Sequence, residues 1–179
     1  MNIKNMLRGL ILSALLLPLA SQAQTPTTQI ATEYLMTLHI PLDPPQQIDE
    51  TSFVYNVRPG GWAKGPKIQG ELLAPGGDWF RSMPGGNGRL DVRSTLKTDD
   101  GQFIFLSYNG IMSHTKHSFE RFMKGETLSA KDFYLVIAPT MQTSSPKYAW
   151  LNHVQCVGKV VGVKVGENSF VQYDIYIVR

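Results

Sequence analysis

The chain has 179 residues, with 17 Lys and Arg against 14 Asp and Glu, a formal charge of +3 at neutral pH and one cysteine, Cys156. One cysteine excludes an intramolecular disulfide, so stability has to come from packing, and the length suffices for one domain with a real core. Two of the excess positive charges, Lys4 and Arg8, sit in the opening stub, which leaves +1 for the rest and no basic stripe of the kind that tracks nucleic-acid phosphates.

That stub leads into an apolar run from Gly9 to Ala20 and then Ser21-Gln22-Ala23, with small residues at the first and third positions. The run is too short to span a membrane and the small residues suit a secretory cleavage site. Residues 1–23 are therefore expected to be a cleaved signal peptide, 24–29 a flexible leader and 30–179 a single domain, found in the periplasm or secreted, without stable membrane insertion.

From Ile30 to Ile40 apolar and polar residues alternate, with Tyr34, Met36 and Leu38 expected on one face and Glu33, Thr37 and His39 on the other, the period of a half-buried strand. Pro41 and Pro44-Pro45 end it. A second strand carries Phe53, Tyr55 and Val57, and a third Ile68, Gly70 and Leu72. Three Pro-Gly-Gly triplets, beginning at Pro59, Pro75 and Pro84, together with Asp99-Asp100-Gly101, read as turns, because Pro presets φ and Gly accepts the positive φ that comes next. Arg89 to Lys97 places Leu90, Val92 and Leu96 opposite Arg89, Asp91, Arg93 and Lys97. Phe103 to Asn109 is bulky on both faces, as expected of a strand covered on two sides or closed into a barrel.

Ser113 to Thr127 is a polar interruption, a short helix or an ordered loop, after which strand patterns resume at Phe133, Tyr148 and Ser169. About eight to ten short strands with regular turn signals indicate an all-β sandwich or barrel.

The phrases GGWAKGPKIQGELLAPGGDW, LDVRSTLKTDDGQFIFLSYNG and SSPKYAWLN occur in that order. In these the chain resembles the family known as domain of unknown function 3237, over roughly Tyr34 to Val178. The resemblance implies an all-β, single antiparallel up-and-down β-barrel with an interior pocket, without an agreed activity or cofactor. Asp78, Trp79, Asp91, Arg93, Trp150 and Asn152 fall on the family's phrases. Family members often carry an acidic residue before the Trp-Leu-Asn motif, where this chain has Pro139 to Thr143.

Asp91 and Arg93 lie two apart on a strand and point the same way. One reading is an exposed ion pair of about 0.2–1 kcal/mol. The other, adopted as the expectation, puts both inside the barrel, with Arg93 holding a ligand oxygen bidentately and Asp91 orienting it. Asp78, beside Trp79, either caps a turn or, with Tyr134, exchanges a proton with a substrate. Tyr108, Trp150 and Tyr173 offer aromatic lining, and Asn152 is an amide that needs partners. The catalytic candidates are thus Arg93, Asp78 and Tyr134, and the ligand-binding ones Asp91, Trp79, Tyr108, Trp150 and Asn152.

His114, His117 and Glu120 would share a face if their segment were helical, but a lid loop that brings one histidine to a substrate is preferred over a metal site. No nucleotide-binding or nicotinamide fingerprint occurs, so no cofactor is expected. Cys156 sits in a strand-like run and is expected to be buried and inert. The expected partner is a small molecule, with self-association left open. Two functions fit these residues: a cofactor-independent lyase or isomerase acting on a small oxygenated aromatic or cyclic substrate, or a periplasmic binding or carrier barrel.

Overall fold

A computed structural model of the chain describes residues 28–179. The stretch expected to be a signal peptide lies outside them. The described residues form ten strands: β1 (Thr32–Pro41), β2 (Gln46–Gln47), β3 (Ser52–Asn56), β4 (Gly61–Lys64), β5 (Gln69–Met83), β6 (Asn87–Thr98), β7 (Phe103–Ser113), β8 (Tyr134–Gln142), β9 (Cys156–Lys164) and β10 (Phe170–Val178). One α-helix, α1 (Lys116–Met123), comes after β7, and a 3-10 helix, Ala149–His153, precedes β9.

Every pairing is antiparallel. Around the ring the order is β1, β4, β5, β6, β7, β8, β9, β10 and back to β1, an eight-stranded closed barrel to which β2 and β3 are added. Closure removes the free edges that an open sheet of these strands would expose. The closing seam joins the first strand to the last, with Thr32 opposite Val178 and Pro41 opposite Phe170. Beyond the strands, the Ala31 and Arg179 backbones exchange two further hydrogen bonds of 3.1 and 2.8 Å.

β5 holds the extra strands in place. Its first half pairs with β4 and its second half, Gly77 to Arg81, with β3, while β6 runs along its other edge. The Pro75-Gly76-Gly77 triplet is therefore not the expected turn but an irregularity inside one strand, where the β6 register shifts between Leu73 and Gly77. Gly76 is needed there for room: a Cβ on it would lie 2.7 Å from Ser94 Oγ and 3.1 Å from the Arg93 carbonyl oxygen. The triplet at Pro84 does turn, with positive φ at Gly85 (78°) and Gly86 (76°), and forms the β5–β6 hairpin.

The core fills the barrel. Leu38 and Ile40 from β1, Leu72 from β5, Leu96 from β6, Ile104 and Leu106 from β7, Ile137 from β8 and Ile175 from β10 are all essentially sealed from solvent. Each contributes about 1.5–3 kcal/mol through the apolar surface it removes from water. In β1 the simple alternation fails at one place: the register to β10 slips between Tyr34 and Met36, so Leu35 and Met36 are both buried while Tyr34 faces out. A one-residue bulge moves what precedes it to the other face.

β6 settles which way its charges point. Leu90, Val92, Ser94 and Leu96 are buried, and Asp91, Arg93 and Lys97 lie on the outer wall. On β7, Ile104, Leu106 and Tyr108 face in, and the bulk opposite them, Phe103 and Phe105, is 58% and 43% exposed on the outside. The outer face of this strand is therefore not covered, and the expectation that Asp91 and Arg93 lie inside the barrel is not met.

Helix α1 starts at a capping box: the Ser118 N–H donates to Thr115 Oγ1 at 3.1 Å and the Thr115 N–H to Ser118 Oγ at 2.9 Å, which satisfies donors that the first turn leaves free. Arg121 then ties the helix to the segment leading into β8, bonding Glu126 at 2.8 Å and Asp132 at 2.6 Å.

Candidate functional site

A cavity of about 380 Å3 occupies one end of the barrel. Its inner wall is built from alternate residues of several strands: Tyr55 from β3, Asp78 and Phe80 from β5, Leu90 and Val92 from β6, Tyr108 from β7 and Tyr173 from β10. Its mouth is framed by Pro45, His114, Lys164 and three side chains of α1, Phe119, Phe122 and Met123. A wider groove, about 820 Å3, runs over the outer face of β6 to β8 past Phe103, Phe105, Thr140 and Asn152, but no titratable side chain lines it. The interior cavity is the candidate site because it combines enclosure by the barrel wall with a buried carboxyl.

Asp78 is the acidic group in that wall. The β5–β6 ladder pairs Asp78 with Val92 and resumes only at Arg81 opposite Arg89. In the gap the Asp91 N–H donates to Asp78 Oδ1 at 3.0 Å, and the Leu90 carbonyl accepts from Asn109 Nδ2 at 3.3 Å. The Asp78 side chain thus takes the place of a missing β5–β6 ladder bond, and one consequence is that its carboxyl is anchored through a single oxygen.

Burial pushes the Asp78 carboxyl up to about 7, with the neighbouring Asp91 charge adding to the rise and the Asp91 N–H opposing it. Tyr108 and Tyr173 stand edge to face, ring centroids 6.0 Å apart. Burial holds both phenols well above the usual tyrosine range, and their proximity to Asp78 raises them further. Tyr55 is raised for the same two reasons, burial first. The Tyr173 hydroxyl is sealed from solvent and makes no well-formed hydrogen bond to the described residues, although the Tyr108 hydroxyl lies close enough to interact weakly with it. At neutral pH the inner wall therefore offers intact phenols and a carboxyl near its midpoint.

Of the eight catalytic and ligand-binding candidates read from the sequence, Asp78 and Tyr108 line this cavity and the other six do not. Arg93 and Asp91 form an exposed ion pair of 2.8 Å on the outer wall, and the Arg93 guanidinium lies 5.9 Å from the ring of Trp79, which also faces out. The reason is the strand period: Leu90 and Val92 claim the inner face of β6, and Asp78 and Phe80 that of β5. Tyr134 is 53% exposed because Leu135, its neighbour on β8, takes the inward position. Trp150 belongs to the 3-10 helix, with the Lys67 ammonium 5.7 Å from its ring. Asn152 finds its partners in a loop, closing a pair of 2.9 Å bonds with the Thr143 backbone.

The segment after β7 is a short helix that lies across the mouth and brings one histidine, His114, to the cavity, its ring stacked 4.8 Å from Phe119. His117 and Glu120 stay exposed, and among the described residues no three His, Cys, Asp or Glu side chains converge. Cys156 is buried, and burial pushes its thiol up to about 11. Sequence reasoning missed Tyr55, Phe80 and the α1 apolar residues as cavity wall, and counted Tyr173 as lining only. The alternation of Asp78, Phe80 and Ser82 carried part of that signal, since residues two apart on a strand share a face.

Comparison with known proteins agrees with this architecture. The profile of the family described as "Protein of unknown function (DUF3237)" matches residues 30–178. A UPF0311 protein of Clostridium acetobutylicum is 33% identical over 95 residues, 52% of this chain, and the match spans 60% of that relative's length. Among solved structures, a conserved protein of unknown function from Rhodopseudomonas palustris superposes with a TM-score of 0.74 at 24% identity, over 86% of this chain and 100% of the other. A beta-barrel like protein from Acinetobacter baumannii gives 0.71 at 28% identity, over 87% and 100%. An enzyme from Penicillium herquei gives 0.60 at 19% identity, over 87% and 99%, a likeness of fold.

Proposed function

Because the chain belongs to the DUF3237 family of proteins of unknown function, its chemistry has to be read from the barrel itself, and we propose that the interior cavity binds a small, largely apolar, oxygen-bearing ring compound and exchanges a proton with it through Asp78. The observation that carries this reading is the placement of Asp78: a carboxyl in an apolar wall, held by one backbone donor, with a pKa of about 7. A general base or acid works best when its pKa lies near the operating pH, and burial is how proteins move a carboxyl there.

The chemistry that fits is abstraction of a proton from carbon next to a carbonyl. The C–H bond breaks, the proton goes to the Asp78 carboxylate, and the electron pair moves to the carbonyl oxygen as an enolate. Return of the proton at another carbon completes an isomerisation; loss of a group one carbon further on completes a lyase reaction. The apolar mouth made by Phe119, Phe122 and Met123 favours a ring-bearing ligand and keeps water from the base. That an enzyme of Penicillium herquei has a barrel of this kind is compatible with catalysis.

The test is carbon-bound hydrogen exchange. Cyclic ketones and phenolic ketones incubated with the protein in heavy water are expected to gain deuterium next to the carbonyl, and Asp78→Asn to abolish the gain while retaining binding. Retention of ligand by the native protein without exchange would favour a carrier, and failure of every such compound to enter the cavity would refute the reading. We also propose export with removal of residues 1–23, which N-terminal sequencing of the natural product would show as a start near Gln24.

A further inference from the structure

We infer that Tyr173, with Tyr108 beside it, is the hydrogen-bond donor for the ligand's oxygen, so that the cavity selects compounds whose ring oxygen can carry negative charge: phenols, enols and enolisable ketones. This rests on the cavity reading above and adds to it the identity of the oxygen site and the class of ligand.

A buried hydroxyl without an acceptor is an anomaly, because leaving such a donor unpaired costs about 1–3 kcal/mol. The Tyr173 ring lines the cavity, its residue is fully sealed from solvent, and its hydroxyl finds no acceptor among the described residues. Tyr108 stands edge-on to it from β7, with Asp78 close enough to act electrostatically on both. Donor and base thus face one end of the cavity from three strands, β10, β7 and β5.

Apart from the Tyr55 phenol, the remaining inner wall is apolar: Phe80, Leu90, Val92 and Val171. Lys164 and His114 frame the mouth, and the inner end, where Asp78, Tyr108 and Tyr173 meet, has no basic side chain in its wall among the described residues. A ligand already carrying a full carboxylate is therefore disfavoured beside Asp78. An oxygen that is neutral in the bound ground state and gains charge only during proton transfer is suited to phenol donors in a dry site, where each hydrogen bond strengthens as the charge develops.

The experiment compares two probes of one shape, naphthalene and 2-naphthol, binding to Asp78→Asn protein, in which a neutral amide stands for the protonated acid. Binding is followed by probe fluorescence and calorimetry. The hydroxyl is expected to raise affinity by about tenfold or more, and Tyr173→Phe in the same background to remove most of the difference in affinity between the two probes. Without ligand, Tyr173→Phe should match or exceed the stability of the parent, since it deletes an unpaired polar atom. Equal preference for 2-naphthol with and without the Tyr173 hydroxyl would overturn the inference while leaving the cavity reading intact. A Tyr173→Phe protein that melts lower than its parent would overturn it too, by revealing a structural partner for the hydroxyl. If neither probe binds, the cavity reading fails and this one with it.

Discussion

Replacing Asp78 with Asn tests the electrostatics of the barrel independently of any substrate. A carboxyl raised from the ordinary 3.8 to about 7 keeps its proton longer in the folded chain than in the unfolded one. Below pH 3.8 both states hold the proton and this group costs the fold nothing. As pH rises toward 7 the unfolded chain ionises first, and stability falls by about 1.4 kcal/mol per pH unit. Above 7 both states are ionised and the loss levels off near 4 kcal/mol as an upper bound. The groups facing Asp78 are Tyr55 on β3, Asp91 on β6, Tyr108 on β7 and Tyr173 on β10, and all are common to the parent and the variant. The amide introduced by Asp78→Asn would keep an oxygen for the Asp91 N–H, now 3.0 Å from Asp78 Oδ1, and would bury no charge. The variant is therefore expected to gain on the parent steadily between about pH 4 and 7 and to hold that gain above it. Urea unfolding of both proteins at several pH values, read as a difference, cancels titrations they share. A difference that stays flat from about pH 5 to 8 would show that Asp78 ionises like a surface carboxylate, and would remove the physical basis of the proposed base.

Asp91→Ala is expected to cost less than about 1 kcal/mol by urea titration, as for other exposed pairs, and Arg93→Met to leave ligand binding unchanged. Gly76→Ala should lower the melting temperature more than Gly77→Ala, because a Cβ at 76 meets a backbone carbonyl at 3.1 Å whereas one at 77 meets the Trp79 ring at 3.4 Å and a backbone carbonyl at an ordinary 3.7 Å. Asp132→Asn should loosen α1, seen as faster amide exchange in Phe119 to Met123; since hydrogen bonds from the Ser129 backbone and Arg121 hold Asp132 down at about 2, the stabilisation it provides is present above the ordinary carboxylate pKa of 3.8 and is lost as pH falls toward 2. Cys156 should resist iodoacetamide at pH 8 in the folded protein and react on unfolding, since its thiol is buried and raised to about 11.

Strand existence was legible wherever polar and apolar residues alternate, and β6 is the clearest case. Its own phase, with Leu90 and Val92 inward, already placed Asp91 and Arg93 outside; the error came from reading Phe103 and Phe105 as cover for a second buried face when they lie open on the barrel wall. Tyr134 begins a run, Tyr134 to Ala138, that is apolar at every position, so no alternation distinguishes inside from outside there. Leu35 could not be read as a bulge because the extra residue is itself apolar and leaves the surrounding pattern plausible in either register. The wall contributed by α1 was hidden for another reason: eight residues span little more than two turns, too few to show a period against Lys, His, Glu and Arg neighbours. Asp78 could be singled out by residue type, but its depth depends on the long β5 running through Pro75 instead of turning, a tertiary fact.

The seam between β1 and β10 bears on how the molecule comes into being. Thr32 has no partner on that side until Val178 has been made, so the ring cannot be completed before β10 is available. The earlier hairpins, β5–β6 and β6–β7, are local and can form as soon as their residues emerge, leaving an unfinished sheet with two open edges that waits for the final nine-residue strand. Loss of even a few residues of β10 should therefore be far more damaging than their small share of the chain suggests. By the same geometry the two ends of the barrel are neighbours, Ala31 bonded to Arg179, so a short linker between them with new ends opened at the Asp99-Asp100-Gly101 turn should yield a permuted chain whose slowest closure has become a local one.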